Sequence, residues 1–580
     1  MQKSWISKKS PVEGVVKALA EQLNVPHNIA YLLAQREVTT FESARSFFRP
    51  ELTQLHDPFL MKDMDEAVER LSSAIHKNEN ILVYGDYDVD GTTAVTLVYS
   101  FLTSLGVSCH YYIPDRYSEG YGFSFQGVDF AKANNCSLII TLDCGVRDGK
   151  KIDYAKSIGI DVIVCDHHLP AEIPLAAAVL DPKRPDCNYP YKGLSGAGVG
   201  FKLMQGLCIQ QSIDTELLFS YLDLVTISIG ADIVPLTGEN RILAYHGLQQ
   251  LQESQRPGIS AMLLNADFKK PAITITDVVF ILAPRINAAG RIFSGKQAVA
   301  LLLSENHEQA LELSSAIEEY NATRKGLDKE ITAHAIQKID ADDFQQDSLS
   351  TVVFDESWHK GVVGIVASRL VETFYKPTIV MVSDGQKMAG SARSISSIDL
   401  FECLSECEEY LIQFGGHTMA AGLSLAAENF ASFRERFDEV VREKLNNIRP
   451  VPMMEYDAEI DFTEITPKMF RVLKQFEPHG PENLSPVFLA RQVKNTRSTR
   501  TVGENNKHLK LHVHQATNPK ISFDGIGFDL GHWSEKLQNG AIVDVLFAID
   551  ENTWNNKTSL QMIVKDIRLS ESESGDSDGN

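Results

Sequence analysis

The spacing of apolar and polar positions changes character several times along the chain. Residues 1–50 place apolar side chains at helical spacing among polar ones and predict an N-terminal helical segment. From residue 80 the pattern turns to short β-rich runs: Ile81–Asp86, Ser108–Ile113, Leu138–Asp143, Asp161–Asp166 and Ala176–Leu180. Between them lie stretches such as Thr92–Leu105 and Gly149–Ile158, long enough for crossover helices. Continuous apolar strands alternating with helices predict a parallel sheet covered on both faces.

From Glu305 to Asp342 there is no proline and one glycine, and Leu311, Ile317, Leu327, Ile331, Ile336 and Ile339 recur among charges. The stretch predicts either one strut-like helix roughly 50 Å long, at 1.5 Å per residue, or two helices broken near Gly326. A second α/β lobe follows, with a strand at Thr351–Phe354, a helix at Val362–Phe374, a strand at Thr378–Val382 and a turn-rich stretch at Gly390–Ile398. Beyond Pro450–Pro452, short alternating strands at His508–Val513, Ile521–Phe528, Ala541–Ile549 and Ser559–Ile567 predict a small β-barrel of the oligonucleotide-binding kind. The expected fold is therefore α/β: a parallel-sheet domain, a connecting helix, a second α/β lobe and a β-barrel. The expected boundaries are 1–50, 51–304, 305–345, 346–449, 450–568 and an acidic, disordered tail at 569–580.

Composition narrows the function classes. The chain of 580 residues is 43% hydrophobic and 23% charged, which excludes wholesale disorder. Its formal net charge of −22 argues against a generally basic nucleic-acid coat protein. A focused basic groove stays open, because Arg491, Lys494, Arg497, Arg500, Lys507 and Lys510 stand against only Glu504 in that interval. The N-terminus has no secretory pattern, the apolar runs are too short for a membrane span, and the eight cysteines lie singly without a Cys-x-x-Cys pair. These features predict reduced thiols and a cytoplasmic protein without a membrane partner.

Three strands end in acidic residues. They lead into Gly85-Asp86-Tyr87-Asp88-Val89-Asp90-Gly91, Asp143-Cys144-Gly145 and Asp166-His167-His168. Ligands of open α/β sheets bind at the carboxyl ends of the strands, so these groups converge on one crevice. Carboxylates that share a crevice repel one another unless cations neutralise them. Oxygen sets suit Mg²⁺, and an added imidazole moves the preference toward Mn²⁺. An EF-hand loop also begins Asp-x-Asp-x-Asp-Gly, but it requires a Glu at its twelfth position, which here is Leu97, and a helix where this chain has a strand.

With these residues the chain resembles the DHH phosphoesterase superfamily. Gly85–Thr93, Thr141–Gly145 and Asp166–His168 are similar to its first three motifs, and Leu222–Pro235 resembles the fourth, with Asp223 on a helix near the site. Ile113–Gly122, Pro284–Arg291, Trp358–Arg369, Gly390–Ser394, Gly415–Gly422, Phe476–Pro486 and Trp554–Arg568 narrow the resemblance to the bacterial RecJ single-strand-specific exonucleases, over residues 40 to 568. The resemblance implies a DHHA1-like second lobe and an OB-like barrel. It also implies 5′→3′ hydrolysis of single-stranded DNA to 5′-mononucleotides, in repair and recombination, with two divalent cations, Mn²⁺ or Mg²⁺. Two cations about 4 Å apart stabilise both the attacking and the leaving oxygen. It assigns Asp143 as the shared ligand, Asp86 and Asp88 to one cation, and Asp90, His167 and Asp223 to the other. His168 is assigned to the scissile phosphate or leaving oxygen, and Asp166 to orienting a histidine. Ser391 and Arg393, with Arg116, Arg285, Asn287, Arg291 or Arg369, are expected to bind a terminal 5′-phosphate. Trp358 and His359 are expected to stack on bases, and Gly416 and His417 to approach a phosphate closely. Arg497, Arg500 and Lys510 are expected to track the strand along the barrel. A single-stranded-DNA-binding protein and a RecQ-type helicase are implied partners, and self-contained lobes suggest a monomer. The alternatives are a DHH phosphodiesterase for short oligonucleotides and a non-catalytic single-strand-binding replication scaffold.

Overall fold

The computed structural model describes residues 3–570 apart from 254, 497 and 555–556. Arg497 and the acidic tail from residue 571 lie outside the described residues. The described chain divides into two compact units. One holds residues 56–234 and 246–452; the other holds 3–55, 235–245 and the chain from 453 onward.

The first unit opens on five parallel strands in the order Cys109–Tyr112, Asn80–Gly85, Cys136–Leu142, Asp161–Cys165, Ala178–Leu180. Their apolar interiors are buried on both faces, which is why they read as unbroken apolar runs rather than alternating ones. The register aligns Gly85 with Leu142, Leu142 with Cys165, and Cys165 with Leu180. The residue that follows each of these four strand ends is an aspartate: Asp86, Asp143, Asp166 and Asp181. One edge of the sheet thus collects four carboxyl groups.

Between the sheet and the second lobe runs one unbroken helix, His307–Asp340, of 34 residues. Gly326 does not divide it, because a buried seam of Ile317, Asn321, Asp328, Ile331, Ala335 and Ile339 keeps to one face, with the seven-residue step from Asn321 to Asp328 carrying it across that point. The second lobe is a five-stranded sheet in the order Leu411–His417, Ala420–Ala426, Lys387–Arg393, Thr378–Ser383, Thr351–Phe354. The stretch expected to be turn-rich from Gly390 lies partly in strand Lys387–Arg393. Pairing with a neighbour on each side overrides the weak strand preference of its glycine and serine.

In the second unit, Phe488–Asn495 pairs with both Val543–Trp554 and His508–Gln515. Lys557–Leu569 and Asn518–Gly527 complete the ring, so five strands close into a barrel. The first fifty residues contain three helices, Glu13–Leu23, His27–Gln35 and Phe41–Phe48, and also a strand, Ser4–Ser7, that pairs with Met453–Tyr456. Val16, Leu19, Ile29 and Leu33 share one buried core with Phe462, Phe488 and Phe547 of the barrel region. Arg241 ties this unit together. Its guanidinium donates to the carbonyls of Phe47 at 3.1 Å, Phe476 at 2.9 Å and Glu477 at 2.9 Å, and lies over the Phe47 ring at 4.0 Å. Removing it would leave several buried carbonyls without a donor, each costing on the order of 1 kcal/mol or more. Arg241→Ala is therefore expected to destabilise this unit by about 3 kcal/mol. Urea unfolding followed by the fluorescence of Trp5 and Trp533 measures it, with Arg241→Lys intermediate because lysine lacks the planar fork.

Candidate active site

At the aligned strand ends, each acidic side chain is held by a different local device. Asp86 is fully buried; one oxygen accepts from the Gly122 amide at 3.4 Å and Oδ2 has no hydrogen-bond partner among the described residues. Asp88 caps helix Val89–Ser104, accepting from the Gly91 amide at 3.1 Å. Asp90, the second residue of that helix, reaches across to the start of helix Gly196–Gln211. It accepts from the amides of Gly196 at 2.7 Å and Ala197 at 2.8 Å, and from the Ser228 hydroxyl at 2.7 Å. Asp143 has left-handed backbone, φ 58°, and Gly196 packs so closely on it that a Cβ there would lie 2.5 Å from the Asp143 Cβ.

His167 sits at the middle of the group. Its Nε2 lies 3.1 Å from Asp143 Oδ1, 3.6 Å from Asp90 Oδ2 and 3.5 Å from Asp232 Oδ2, while its buried Nδ1 has no hydrogen-bond partner among the described residues. Asp143, His167 and His168 form one set of potential metal ligands within 4.8 Å of one another; Asp90, His167 and Asp232 form another. Asp166 lies beside them and binds His168: its Oδ1 is 2.7 Å from His168 Nδ1 and accepts from the His168 amide at 3.1 Å. The Tyr121 hydroxyl lies 3.1 Å from the other ring nitrogen, Nε2.

The electrostatics divide this group in two. Burial raises the pKa of Asp86 and Asp143 well above the usual carboxylate range, with Asp88 adding to both and Asp90 to Asp143. Desolvation in the crevice and the Asp90 charge likewise raise Asp88 and Asp232. Burial lowers His167 to about 4, so its imidazole is neutral and available as a ligand. Asp166 runs the other way. Burial alone would raise it, but bonds from His168 and the Val146 amide bring it down to about 2. Burial works against the His168 cation, yet Asp166, Asp88 and Asp90 outweigh it and raise its pKa. Crowded oxygens that cannot all ionise, a neutral imidazole and two orphaned buried polar atoms fit divalent cations.

The fourth motif needs a correction. Asp223 is buried on helix Leu222–Ala231, but its carboxylate is 2.6 Å from Arg256 Nε and accepts from the Leu224 amide at 2.9 Å. The carboxylate that reaches His167 is Asp232, just past the end of that helix. The signal lay within the same stretch, Ala231-Asp232-Ile233-Val234-Pro235, where a helix stop leaves an aspartate free to project.

The second lobe supplies the opposite charge. Ser391 and Arg393 stand together on Lys387–Arg393, with Arg393 Nη1 donating to Ser391 Oγ at 2.9 Å. They face the N-terminus of helix Val363–Phe374, where a Cβ on Gly364 would come within 3.0 Å of both side chains. Arg291 belongs to this group: burial and the charges of Arg116, Arg324 and Arg393 lower its pKa to about 10. Arg116 lies over the Tyr87 ring at 4.9 Å, and Asn287 stands one helical turn before Arg291. Arg285 and Arg369 are engaged elsewhere, with Glu318 at 2.6 Å and Asp328 at 3.4 Å.

Two aromatic expectations change. Trp358 is only 4% exposed, lies in an apolar core and donates to His334 Nδ1 at 3.1 Å, so it does not present a ring to bases. His359 is half-buried, its ring centroid 6.3 Å from that of Tyr117. Gly416 is required by its own hairpin, since a Cβ there would lie 2.4 Å from the Ala420 carbonyl oxygen. His417 beside it is exposed, and its pKa is lowered by desolvation and by Arg147 and His168. On the barrel, Arg500 and Lys510 are exposed and directly opposite each other on paired strands, whereas Arg491 and Lys507 are paired with Glu459 and Asp529.

Comparison with known proteins decides the family. The DHH family N-terminal domain matches residues 80–229, the DHHA1 domain 346–443 and the RecJ OB domain 456–566. The single-stranded-DNA-specific exonuclease RecJ of Bacillus subtilis is 38% identical over 97% of this chain and 70% of its own length. The chain belongs to the RecJ family. Its Escherichia coli relative of the same name is 35% identical over 87% of this chain and 90% of its own length. The crystal structure of RecJ from Thermus thermophilus in complex with Mn²⁺ superposes with a TM-score of 0.83, at 27% identity, over 98% of this chain and 80% of that one. A second crystal structure of the Thermus protein contains Mg²⁺.

For this RecJ family member the raised carboxylates have a thermodynamic signature. Asp86, Asp88, Asp143 and Asp232 bind protons more readily folded than unfolded, so they add stability as pH falls and remove it as pH rises. Asp166 has the opposite sign, but its contribution is lost only as pH falls toward about 2. In EDTA the thermal midpoint is therefore expected to rise from about pH 8 to about pH 5. Mn²⁺ should raise the midpoint most at the high end, and Asp143→Ala should stabilise the metal-free protein while weakening the response to Mn²⁺. Scanning calorimetry across that range measures both.

Proposed function

We propose that this protein is a metal-dependent exonuclease that hydrolyses single-stranded DNA from a 5′ end and releases 5′-mononucleotides. The observation that carries the proposal is the confrontation within one unit of two opposite arrays. An aspartate–histidine cluster stands at the sheet edge, and a serine–arginine pocket at a helix N-terminus stands on the second lobe. Asp86, Asp88, Asp90, Asp143, His167 and Asp232 would hold two divalent cations, Mn²⁺ or Mg²⁺. When bound, such cations supply charge stabilisation to both the entering and the departing oxygen of the phosphodiester.

The chain's own residues do the rest. Ser391, Arg393, Arg116 and Arg291, with the start of helix Val363–Phe374, hold the terminal 5′-phosphate. A helix N-terminus and planar guanidinium forks both complement a phosphate dianion. Fixing that end sets which phosphodiester reaches the acidic edge, which makes the enzyme an exonuclease. Asp166 anchors His168 through Nδ1, and Nε2, which shares the Tyr121 hydroxyl, donates a proton toward the departing 3′-oxygen. His417 contributes a donor from the opposite lobe. On the barrel, like charges at Arg500 and Lys510 directly opposite each other disfavour the isolated sheet and suit a backbone phosphate between them.

Two other readings are less well supported. A phosphodiesterase confined to short oligonucleotides has no use for a closed barrel with an exposed basic pair, and a replication scaffold has no need of a complete ligand set. Eight free cysteines, seven of them buried, suit a reducing cytoplasm, and a helicase with a single-stranded-DNA-binding protein would supply the substrate strand. A monomer is sufficient, since one chain carries every residue invoked.

The deciding assay follows 5′-labelled and 3′-labelled single strands, with duplex controls, in Mn²⁺, Mg²⁺ and EDTA. Immediate release of labelled mononucleotide from the 5′ end of single strands only, abolished by EDTA and by Asp143→Ala, is the expected result. Release from the 3′ end, or activity on dinucleotides alone, would reject the proposal. In the same assay Asp232→Asn should lower activity by about a hundredfold or more. Asp223→Asn, which loosens only the Arg256 pair, should cost less than about tenfold.

A further inference from the structure

The loop that follows strand Cys109–Tyr112 is stapled to itself and to the acidic edge. Asp115 Oδ1 accepts from the amides of Tyr117 at 3.0 Å and Ser118 at 2.8 Å. Glu119 Oε1 accepts from the Asp115 amide at 2.8 Å and the Tyr112 hydroxyl at 3.0 Å, and Ser124 Oγ donates to the other Glu119 oxygen at 2.6 Å. At the far end the Gly122 carbonyl accepts from the Tyr84 hydroxyl at 2.8 Å, and the Gly122 amide donates to Asp86 at 3.4 Å. Tyr121 stands in this turn between Gly120, φ 86°, and Gly122, φ 85°, where glycine takes the left-handed backbone without strain. Arg116, from the group around Ser391, lies five residues earlier in the same loop.

Two edge-to-face contacts place the Tyr121 ring, with centroids 6.2 Å from Tyr87 and 6.0 Å from His168. Its hydroxyl lies 3.1 Å from His168 Nε2, the ring nitrogen that Asp166 does not hold, and has no other hydrogen-bond partner among the described residues. Tyr121 is 54% exposed, whereas the His168 side chain is 28% exposed. Of the bonded pair, the phenol is thus the member more open to an entering strand. A hydroxyl can accept and donate at once. When Nε2 donates to the phenol oxygen, the phenol's own proton is left to point away from the imidazole.

We infer that Tyr121 is a further catalytic residue, whose hydroxyl passes a proton from His168 Nε2 to the departing 3′-oxygen. The inference rests on the exonuclease reading and deepens it. As the bond from phosphorus to the 3′-oxygen breaks, its electron pair stays on that oxygen, which takes the phenol proton. The phenol oxygen takes the Nε2 proton in the same step, so the phenol is restored and no phenolate accumulates. The imidazole is left neutral with Nδ1–H still on Asp166, and water replaces the proton it gave up. The entering hydroxide supplies the new bond to phosphorus. Because Arg116 and Tyr121 share one stapled loop, the group that holds the 5′-phosphate and the group that protonates the leaving oxygen keep a fixed separation.

A leaving-group substitution tests the relay. Single-turnover cleavage in Mn²⁺ is followed on two 5′-phosphorylated oligothymidylates, one natural and one with sulfur replacing the bridging 3′-oxygen of the first phosphodiester. A thiol is far more acidic than an alcohol, so it departs as thiolate without a proton. On the oxygen substrate, Tyr121→Phe is expected to slow cleavage by about a hundredfold, the usual scale of a lost general acid. His168→Ala and the double variant should lose about the same factor, since the two groups act as one unit. On the sulfur substrate, Tyr121→Phe should cleave at the wild-type rate. Fluorescence anisotropy of the same oligonucleotides in EDTA, with thermal midpoints, should show unchanged binding and folding. An equal loss on both substrates makes Tyr121 a structural residue and overturns the relay. So does a loss below about threefold in Tyr121→Phe beside a hundredfold loss in His168→Ala, since the imidazole then donates directly. Either result leaves the exonuclease reading standing. Failure of the wild type to cleave the oxygen substrate from its 5′ end overturns both.

Discussion

Mutual repulsion among buried carboxylates is the constraint around which the catalytic unit is arranged. Register places Asp86, Asp143, Asp166 and Asp181 at one edge of the parallel sheet, and Asp88, Asp90 and Asp232 crowd the same crevice from helix ends and loops. In a medium of low polarity such a set cannot be fully ionised without counter-charge. The chain neutralises part of it internally. Asp90 is absorbed by two amides and a hydroxyl, and Asp166 by His168 and backbone amides. What it leaves unresolved, above all Asp86, Asp143 and Asp232 around a neutral His167, is what the proposed cations would neutralise. On that proposal the stability given up by crowding these groups would be recovered on binding metal.

The second lobe shows the mirror-image condition. Burial and the neighbouring charge of Arg116 lower the proton affinity of Arg291 and Arg393 beside a helix N-terminus that is itself positive. Each array alone is poorly compensated, and the proposed phosphodiester strand with divalent cations would compensate both at once. The long helix His307–Asp340 fixes their separation, because its buried seam packs against the helices before it and against the core of the second lobe. An uninterrupted helix of that kind is a rigid spacer, and a rigid spacer suits a reaction in which the distance from chain end to reacting bond decides the product.

Much of this was legible in the residues. Strand-terminal aspartates announce themselves because a buried parallel strand reads as an apolar run, and the first polar residue after it marks the sheet edge. The unbroken helix was legible as far as its composition allowed, but whether Gly326 interrupts it depended on which side of the helix is buried. Asp223 and Asp232 illustrate the limit. Both lie in one motif nine positions apart, both are acidic, and only their partners differ: Arg256 claims the first, while a helix stop frees the second. Trp358 gives the same lesson for aromatics. Whether an indole meets a base or a core is settled by what packs beside it, here His334 and the apolar residues of helix Val363–Phe374. Strand Lys387–Arg393, rich in small residues, reads as a turn until a partner on each side supplies its hydrogen bonds.

By itself the sequence determined the alternation of strands and helices, the strand-end carboxylates and the His167–His168 pair, because period and polarity are local properties of the chain. It also determined the chemistry those residue types can perform. The tertiary structure alone decided which carboxylates share a crevice, which arginines are spent on Glu318 and Asp328, and that the first fifty residues complete the core of the barrel unit. These are matters of distance between residues far apart in the chain. Coulomb energy and hydrogen bonding depend on separations of a few ångströms, which a linear pattern does not encode.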